Sequence, residues 1–351
     1  MPVVKKESKR KIYNYNLYIR KYNDKDLLDN GIENFYAILN LRTNCSTDDV
    51  KKNYKYICNK IGKLLIKSNT DNKTLAYTFD TILGSIDKAY KILINSEERK
   101  IYDEQLEKCK NNDYIEIVSP QDKYYADPQL VKDGNKTYIF FEEFDYHKGI
   151  ISCATIDENM NVSECFKVLS APYHMSFPFI FSDDSKFYMI PETSGHMTLE
   201  LYEATNFPYE WKKIQVILNG VWVNDTIMFQ LNGIWWLFTV MKESNNFIIL
   251  YTYDLTSPHW HAHPFNNTDK LYGRMAGNVF KYNGKLIRPV QCGIPIYGYC
   301  IIFYEIIILS RIEYKEKEIG RFYPNWKNDM VGTHTFSVND GLVAFDAKYK
   351  L

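Results

Sequence analysis

Five times between Ala126 and Asp346 the chain repeats one pattern: a short strand-like run, a turn built on Gly or Asp, and a second run dense in aromatic and β-branched residues. The copies open on Ala126-Asp127-Pro128, Phe177-Pro178-Phe179, Asn224-Asp225-Thr226, Ala276-Gly277-Asn278 and Gly332-Thr333-His334. Their turns carry Asp133-Gly134, Asp183-Asp184, Asn232-Gly233, Asn283-Gly284 and Asp340-Gly341. Asn-Gly and Asp-Gly between alternating runs are a strong hairpin signal, because both turn residues must accept positive φ. Repeats of about 45 residues match one four-stranded blade each, so the spacing predicts an all-β propeller of five blades around a central channel.

Upstream the period changes. From Asn34 to Cys109 apolar residues recur at helical spacing and proline is absent. Ser46-Thr47-Asp48-Asp49 places a hydroxyl at an N-cap and a carboxylate three residues on. Val50, Tyr54, Ile57, Ile61 and Leu65 then form one stripe. A second helix is expected from about Leu75 to Ile94, with Phe79, Ile82, Ile86, Tyr90 and Leu93 inward and Gly84 admitting a close neighbour; a third begins near Ser96. The polar stretch Lys108 to Asp113 marks the change of period. The expected organisation is α + β multidomain: an N-terminal extension over 1–33, a small helical domain over 34–112 and a five-bladed propeller over 113–351.

The order of words in the helical part, Asn34 to Leu39, Ser46 to Tyr54, Ile86 to Leu93 and Ser96 to Asp103, resembles a J domain. In that family a His-Pro-Asp tripeptide stimulates the ATPase of an Hsp70 partner. Gly62-Lys63-Leu64 takes its place here, so the resemblance implies a degenerate co-chaperone that docks a protein partner, an Hsp70 among them, rather than an active one.

Lys plus Arg and Asp plus Glu are equal at 43 each, so no overall field draws the chain to nucleic acid or anionic lipid. The basic N-terminus has no apolar segment behind it, and the longest apolar run, Cys300 to Leu309, is too short to span a bilayer. The seven cysteines are scattered singly, which suits a reducing compartment, and a cytoplasmic location is expected. The abundance of Lys, Asn, Ile and Tyr points to an AT-rich genome. No Gly-rich phosphate loop, nucleophile elbow or HExxH is present, and neither a cofactor nor a metal is expected. His259, His261 and His263 have strand-face spacing, but we read them as a solvent-exposed face of an outer strand.

Asp127-Pro128, His174 to Phe181, Met189 to Thr193, Leu201 to Trp211, Gly273 to Asn278, Arg288 to Gln291 and Gly332 to Thr335 resemble the propeller found N-terminal to plant glucosamine inositolphosphorylceramide transferases and beside some bacterial formyltransferases. That propeller is similar in architecture to five-bladed glycosidases. The innermost strands of a propeller line its channel, so residues opening each repeat converge on one axial pocket. Asp127 and Asp225 stand there, with Glu142, Glu143 and Glu192 ending second strands and Arg274, Arg288, Gln291 and His334 completing a ligand-binding set. The leading expectation is a pocket for a sugar or glycoconjugate. An alternative is a glycosidase with Asp127 as nucleophile or base, Glu192 as acid and Asp225 as orienting carboxylate. A non-catalytic interaction scaffold is the third reading. Trp235, Trp236 and Tyr138 could stack on sugars, though such residues usually fill the space between blades.

Overall fold

The computed structural model describes residues 13–22, 28, 32–67, 73–108, 110, 114–267, 273–293 and 297–350, and the side chains at 64–81, 267 and 350 lie outside that description. The described residues begin with a strand, β1 (Tyr13–Lys21), followed in chain order by helices α1 (Phe35–Ile38), α2 (Thr47–Lys67), α3 (Lys73–Ile94) and α4 (Ser96–Lys108) and then by β2 (Ile115–Ile117). Four antiparallel sheets follow. The first is β3 (Tyr124–Asp133), β4 (Lys136–Phe144), β5 (Gly149–Ile156) and β6 (Phe166–Leu169). The second is β7 (Ser176–Asp183), β8 (Lys186–Thr193), β9 (Thr198–Asn206) and β10 (Glu210–Asn219). The third is β11 (Val223–Leu231), β12 (Ile234–Met241), β13 (Phe247–Thr252) and β14 (His261–Ala262). The fourth is β15 (Phe280–Tyr282), β16 (Lys285–Cys292), β17 (Cys300–Leu309) and β18 (Tyr314–Phe322). The last strands are β19 (Met330–Gly332), β20 (Phe336–Asn339) and β21 (Leu342–Lys350).

The fifth sheet corrects one expectation. Residues 13–21, read as part of an extension, pair with β21 over nine positions from Tyr13↔Lys350 to Lys21↔Leu342, and β2 pairs with the outer side of β1. Both ends of the chain thus build one blade. The physical reason is the edge that β21 would otherwise present: unpaired amides and carbonyls invite association, and β1 satisfies them. The strand's alternation also fits, with Leu17 and Ile19 in the core toward the first blade and Tyr18 in the core toward the fourth.

The blades meet through apolar faces. Trp235, Trp236 and Phe238 belong to a core spanning the second to fourth blades, and Tyr138 to one between the first and second. These aromatics are packing, not sugar platforms. Each fully buried Phe such as Phe238 contributes about 1.5–3 kcal/mol.

In the helical segment, Ser46 and Asp49 cap α2 reciprocally, Asp49 N–H donating to Ser46 Oγ at 3.2 Å and Ser46 N–H to Asp49 Oδ2 at 2.9 Å. Val50, Ile57, Ile61, Ile82, Ile86 and Leu93 bury one stripe together with Tyr299 and Cys300 of the propeller. The side chains of Leu65 and Phe79, expected in that stripe, are outside the described residues. Gly84 does not admit a neighbour: a Cβ there would meet nothing within 4 Å. Gly62-Lys63-Leu64 lies inside α2, so the place of the J-domain tripeptide is helix rather than loop. The segment sits against the fourth blade and the loop after it, Asn325 Nδ2 donating to Ile32 O at 2.8 Å and Tyr299 OH to Glu33 Oε1 at 3.0 Å.

Candidate functional site

The innermost strands of the first three blades share one irregularity. Their registers slip between Ala126 and Gln129, Ser176 and Phe179, and Asn224 and Ile227. In each slip one residue takes a left-handed conformation: Asp127 at φ 54°, Phe177 at 42° and Asp225 at 47°. A bulge re-aims a side chain, and positive φ in a residue with a Cβ is strain that the surroundings must hold. Here it turns two carboxylates toward the axis.

An axial cavity of about 220 Å³ is lined by Asp127, Glu142, Glu192, Arg274 and His334 together with Tyr15, Tyr124, Phe144, His174 and Tyr297. Asp127 stitches three blades. Its Oδ2 accepts Phe177 N–H at 3.1 Å, its Oδ1 accepts Thr335 Oγ1–H at 2.8 Å, and its own N–H donates to Asp346 Oδ2 at 3.3 Å. Burial raises the Asp127 carboxyl and His334 opposes it. His334 lies between two acids, Nδ1 2.6 Å from Asp346 Oδ2 and Nε2 3.4 Å from Asp127 Oδ1. Burial alone would discharge the imidazole, but Asp346 and Asp127 overcome it and hold its pKa above the ordinary value. These three side chains bring one ligand atom each within 4.8 Å of one another, spacing that suits a metal. Asp346 Oδ1 is already taken by the backbone amides of His334 and Thr335 at 2.8 and 3.2 Å, and the imidazole stands against both carboxylates. The geometry is that of a buried ion triad.

Across the pocket, Arg274 joins two carboxylates. Its Nη2 lies 2.9 Å from Asp225 Oδ1 and 3.5 Å from Glu192 Oε2, and its Nε meets Asp225 Oδ2. Burial lifts the Asp225 carboxyl to about 7 against the pull of Arg274. The same contact drives Arg274, despite its burial, well above its ordinary value. A two-pronged guanidinium contact is the geometry of an ion pair, and we take that as the state at neutral pH. Gln291 Nε2 supports Asp225 Oδ2 at 2.9 Å. Glu192 accepts Asp225 N–H at 3.1 Å and Ser194 Oγ–H at 2.9 Å.

Glu142 differs from both. Its close polar partner is His174, Nε2 at 3.2 Å from Oε1. Because His174 Nδ1 accepts Gly149 N–H at 2.9 Å, the ring's proton sits on Nε2 and points at Glu142. Burial keeps His174 below its ordinary pKa. Burial, and then the neighbouring carboxylates Asp127, Glu192, Asp346 and Asp225, push Glu142 well up. The packing requires glycine at 149, where a Cβ would stand 2.8 Å from Glu142 Oε1 and closer still to Met175 O.

Five of the sequence-designated residues therefore line the pocket, Asp127, Glu142, Glu192, Arg274 and His334, with Asp225 and Gln291 directly behind Arg274. Glu143 does not join them. Successive strand residues face opposite ways, and Glu143 instead holds Lys123 Nζ at 2.6 Å and Ser152 Oγ at 2.9 Å. Arg288 is also elsewhere. Odd spacing from Gln291 turns it to the other face, where it is fully buried, pairs with Glu316 at 2.6 and 2.8 Å and stacks over Phe247 at 4.6 Å. Nor are the three histidines one exposed face: His259 and His261 are exposed, but the strand ends at Ala262 and His263 turns inward to the Ser310 carbonyl at 2.7 Å.

Sequence reasoning missed Tyr15, Tyr124, His174, Tyr297 and Asp346. His174 stood within a recognised motif and could have been found. Tyr15 and Tyr297 lie outside the repeats. A larger open groove of about 530 Å³ beside α4 includes Arg99, but that guanidinium is committed to the carbonyls of Thr43 and Cys45 at 3.0 and 2.8 Å.

Residues 109–331 match the family described as glucosamine inositolphosphorylceramide transferase 1, N-terminal. The chain belongs to this family. The glucosamine inositolphosphorylceramide transferase 1 of Arabidopsis thaliana is 32% identical over 211 residues, covering 56% of this chain and 27% of the relative, and that of Oryza sativa subsp. indica is 32% identical over 209 residues, covering 56% and 28%. The chain thus spans about a quarter of the length of these relatives. Among solved structures, a family 117 glycoside hydrolase of Zobellia galactanivorans aligns with a TM-score of 0.46 at 10% identity, over 65% of this chain and 84% of that one. A GH32 β-fructofuranosidase of Bombyx mori aligns with a TM-score of 0.46 at 13% identity, over 64% and 55%. In this member of the transferase N-terminal family, the matched residues carry Asp127, Glu142, Glu192, Asp225 and Arg274, whereas Tyr15 and Asp346 on β1 and β21, and His334 between β19 and β20, lie outside the match.

Proposed function

We propose that the propeller holds one sugar ring, free or at the end of a glycoconjugate, in its axial pocket. One observation carries this reading: a single cavity combines the rings of Tyr15, Tyr124, Phe144 and Tyr297 with the charged groups of Asp127, Glu142, Glu192 and Arg274. Sugars offer apolar CH faces to aromatic rings and hydroxyl edges to charged hydrogen-bonding groups. The volume favours a single ring, since drug-sized ligands occupy roughly 300–1,000 Å³. The relatives are named for glucosamine inositolphosphorylceramide, so glucosamine leads the hexoses to be tested.

Titration calorimetry of the full chain with glucosamine, N-acetylglucosamine, glucose, galactose and inositol tests the reading. Saturable binding of one or more, lost in Glu192→Gln with the fold intact by circular dichroism, supports it. Heats indistinguishable from dilution for every sugar would remove it and leave an interaction scaffold.

A second reading, hydrolysis, draws on the contrast between two acids. An acid catalyst must donate O–H. Both Glu192 oxygens serve as acceptors, whereas Glu142 is buried among carboxylates that favour its protonated form. In this reading Glu142 takes the proton-donor role first assigned to Glu192, Asp127 stays as nucleophile or base, and Asp225 orients Arg274. Turnover of aryl glycosides abolished by Glu142→Gln supports it; binding without turnover opposes it.

For the helical segment we propose partner docking, supported by the exposed apolar side chains Tyr56 on α2 and Ile101 on α4. An Hsp70 is the first partner to try, and equal binding by the wild type and a Tyr56→Glu/Ile101→Glu variant would exclude these two side chains from the contact.

A further inference from the structure

Cys292 closes β16 and Cys300 opens β17, and the two are direct partners in the antiparallel ladder. Opposed residues in such a ladder have Cα atoms about 4.5–5.5 Å apart, within the roughly 4.4–6.8 Å that a disulfide spans. Both are free thiols. Their thiols are within hydrogen-bonding reach: after burial, the bond that Cys300 S–H donates to Cys292 is the next cause raising the Cys300 thiol well above its ordinary value. The two are unequal, Cys300 being fully buried and Cys292 half-buried. Among the described residues no other two cysteines oppose each other in a ladder.

The residues leading into Cys300 connect two parts of the protein. Tyr297 walls the axial pocket, its ring 5.2 Å from that of His334 and 5.7 Å from the Arg274 guanidinium. Gly298 O accepts Thr333 N–H at 2.6 Å, and Tyr299 reaches Glu33 beside the helices. The cysteine pair stands at the foot of this turn.

We propose that Cys292 and Cys300 form a dithiol modification site that takes up an intramolecular disulfide by exchange with an oxidised low-molecular-weight thiol. The Cys292 thiolate attacks one sulfur of the small disulfide, forming a mixed disulfide and releasing one small thiolate. Cys300, once deprotonated, attacks the Cys292 sulfur of that mixed disulfide and expels the second small thiolate. Two protein thiols are oxidised, one small disulfide is reduced to two thiols, and the two protons pass through water to the released thiolates. Burial of Cys300 makes the second step slow and faster at higher pH. The inference stands apart from the proposed sugar binding.

The test treats the full chain with glutathione disulfide at about pH 7 and about pH 8.5, alkylates remaining thiols after denaturation, and maps chymotryptic peptides by mass spectrometry, since cleavage after Tyr297 and Tyr299 separates the two cysteines. The expected result is a Cys292–Cys300 cross-link reversed by dithiothreitol, loss of two alkylatable thiols from the seven, faster formation at the higher pH, and no such loss in Cys292→Ser. An unchanged thiol count, a mixed disulfide on Cys292 that never resolves, or thiol loss that persists in Cys292→Ser would overturn the proposal.

Discussion

Arg274 grips Asp225 with two nitrogens of one guanidinium, Nη2 at 2.9 Å from Oδ1 and Nε against Oδ2, and so joins the third blade to the fourth beneath the axial pocket. Asp225→Asn keeps the shape and removes the charge. Breaking a buried pair from one side costs roughly 3–5 kcal/mol, and about 3 kcal/mol is expected here because Arg274 retains some solvent and Glu192. Urea midpoints of wild type and variant measure it. A loss under about 1 kcal/mol would show the pair to be no stronger than a surface contact.

The pH dependence of stability carries the signature of Glu142. Burial and surrounding carboxylates raise its folded pKa well above 4.5, so the folded chain keeps a proton that the unfolded chain releases. The group's contribution is complete below the unfolded pKa and declines as pH rises through the folded one. Glu142→Gln removes that decline, and the variant gains on the wild type as pH climbs above about 4.5. Denaturation of both proteins across a pH series checks the sign; parallel curves would contradict the assignment.

Arg288 is structural rather than ligand-binding, and its pairing with Glu316 separates the two roles. Arg288→Met strands a buried Glu316 and is expected to cost about 3–5 kcal/mol, whereas the double change Arg288→Met/Glu316→Leu recovers most of it. In the double variant any sugar binding should persist. Lost binding in a stable double variant would return Arg288 to the site.

Tyr15 reaches the pocket from the first strand, 5.1 Å from the Tyr124 ring and 5.4 Å from that of His334. Tyr15→Ala is expected to weaken sugar binding by about 10-fold while leaving β1 paired, consistent with roughly 0.5–1.5 kcal/mol for an aromatic contact. Deleting residues 1–21 should do more: β21 becomes an open edge, and size-exclusion chromatography should show aggregation in place of a monodisperse peak. A monodisperse, cooperatively unfolding deletion would mean that β1 is dispensable.

The hairpins were legible because an Asn-Gly or Asp-Gly turn and the strands beside it are neighbours in the chain. Asp127 and Asp225 were legible because each opens such a repeat, at a bulge whose backbone demands are local. Glu142 and Glu143 were both assigned to the site, although period-two alternation lets only one of them face the axis; which one depends on the register of β3 against β4. Tyr15 shows the limit most clearly. Its strand alternates correctly, Tyr-Asn-Tyr-Asn-Leu-Tyr-Ile, yet four helices separate it from the sheet it completes.

By itself, then, the sequence determined the period of each segment, the placement of the turns, and an inventory of charges near the starts of the inner strands. Tertiary structure decided which charges meet. It set His334 between Asp127 and Asp346, left Glu142 among acids with His174, sent Arg288 to Glu316, and brought Tyr15 and Tyr297 to the same pocket from opposite ends of the chain. Local backbone preferences act over a few residues. The pKa of a buried carboxyl and the partner of a buried cation depend on distances across blades, which only the closed ring establishes.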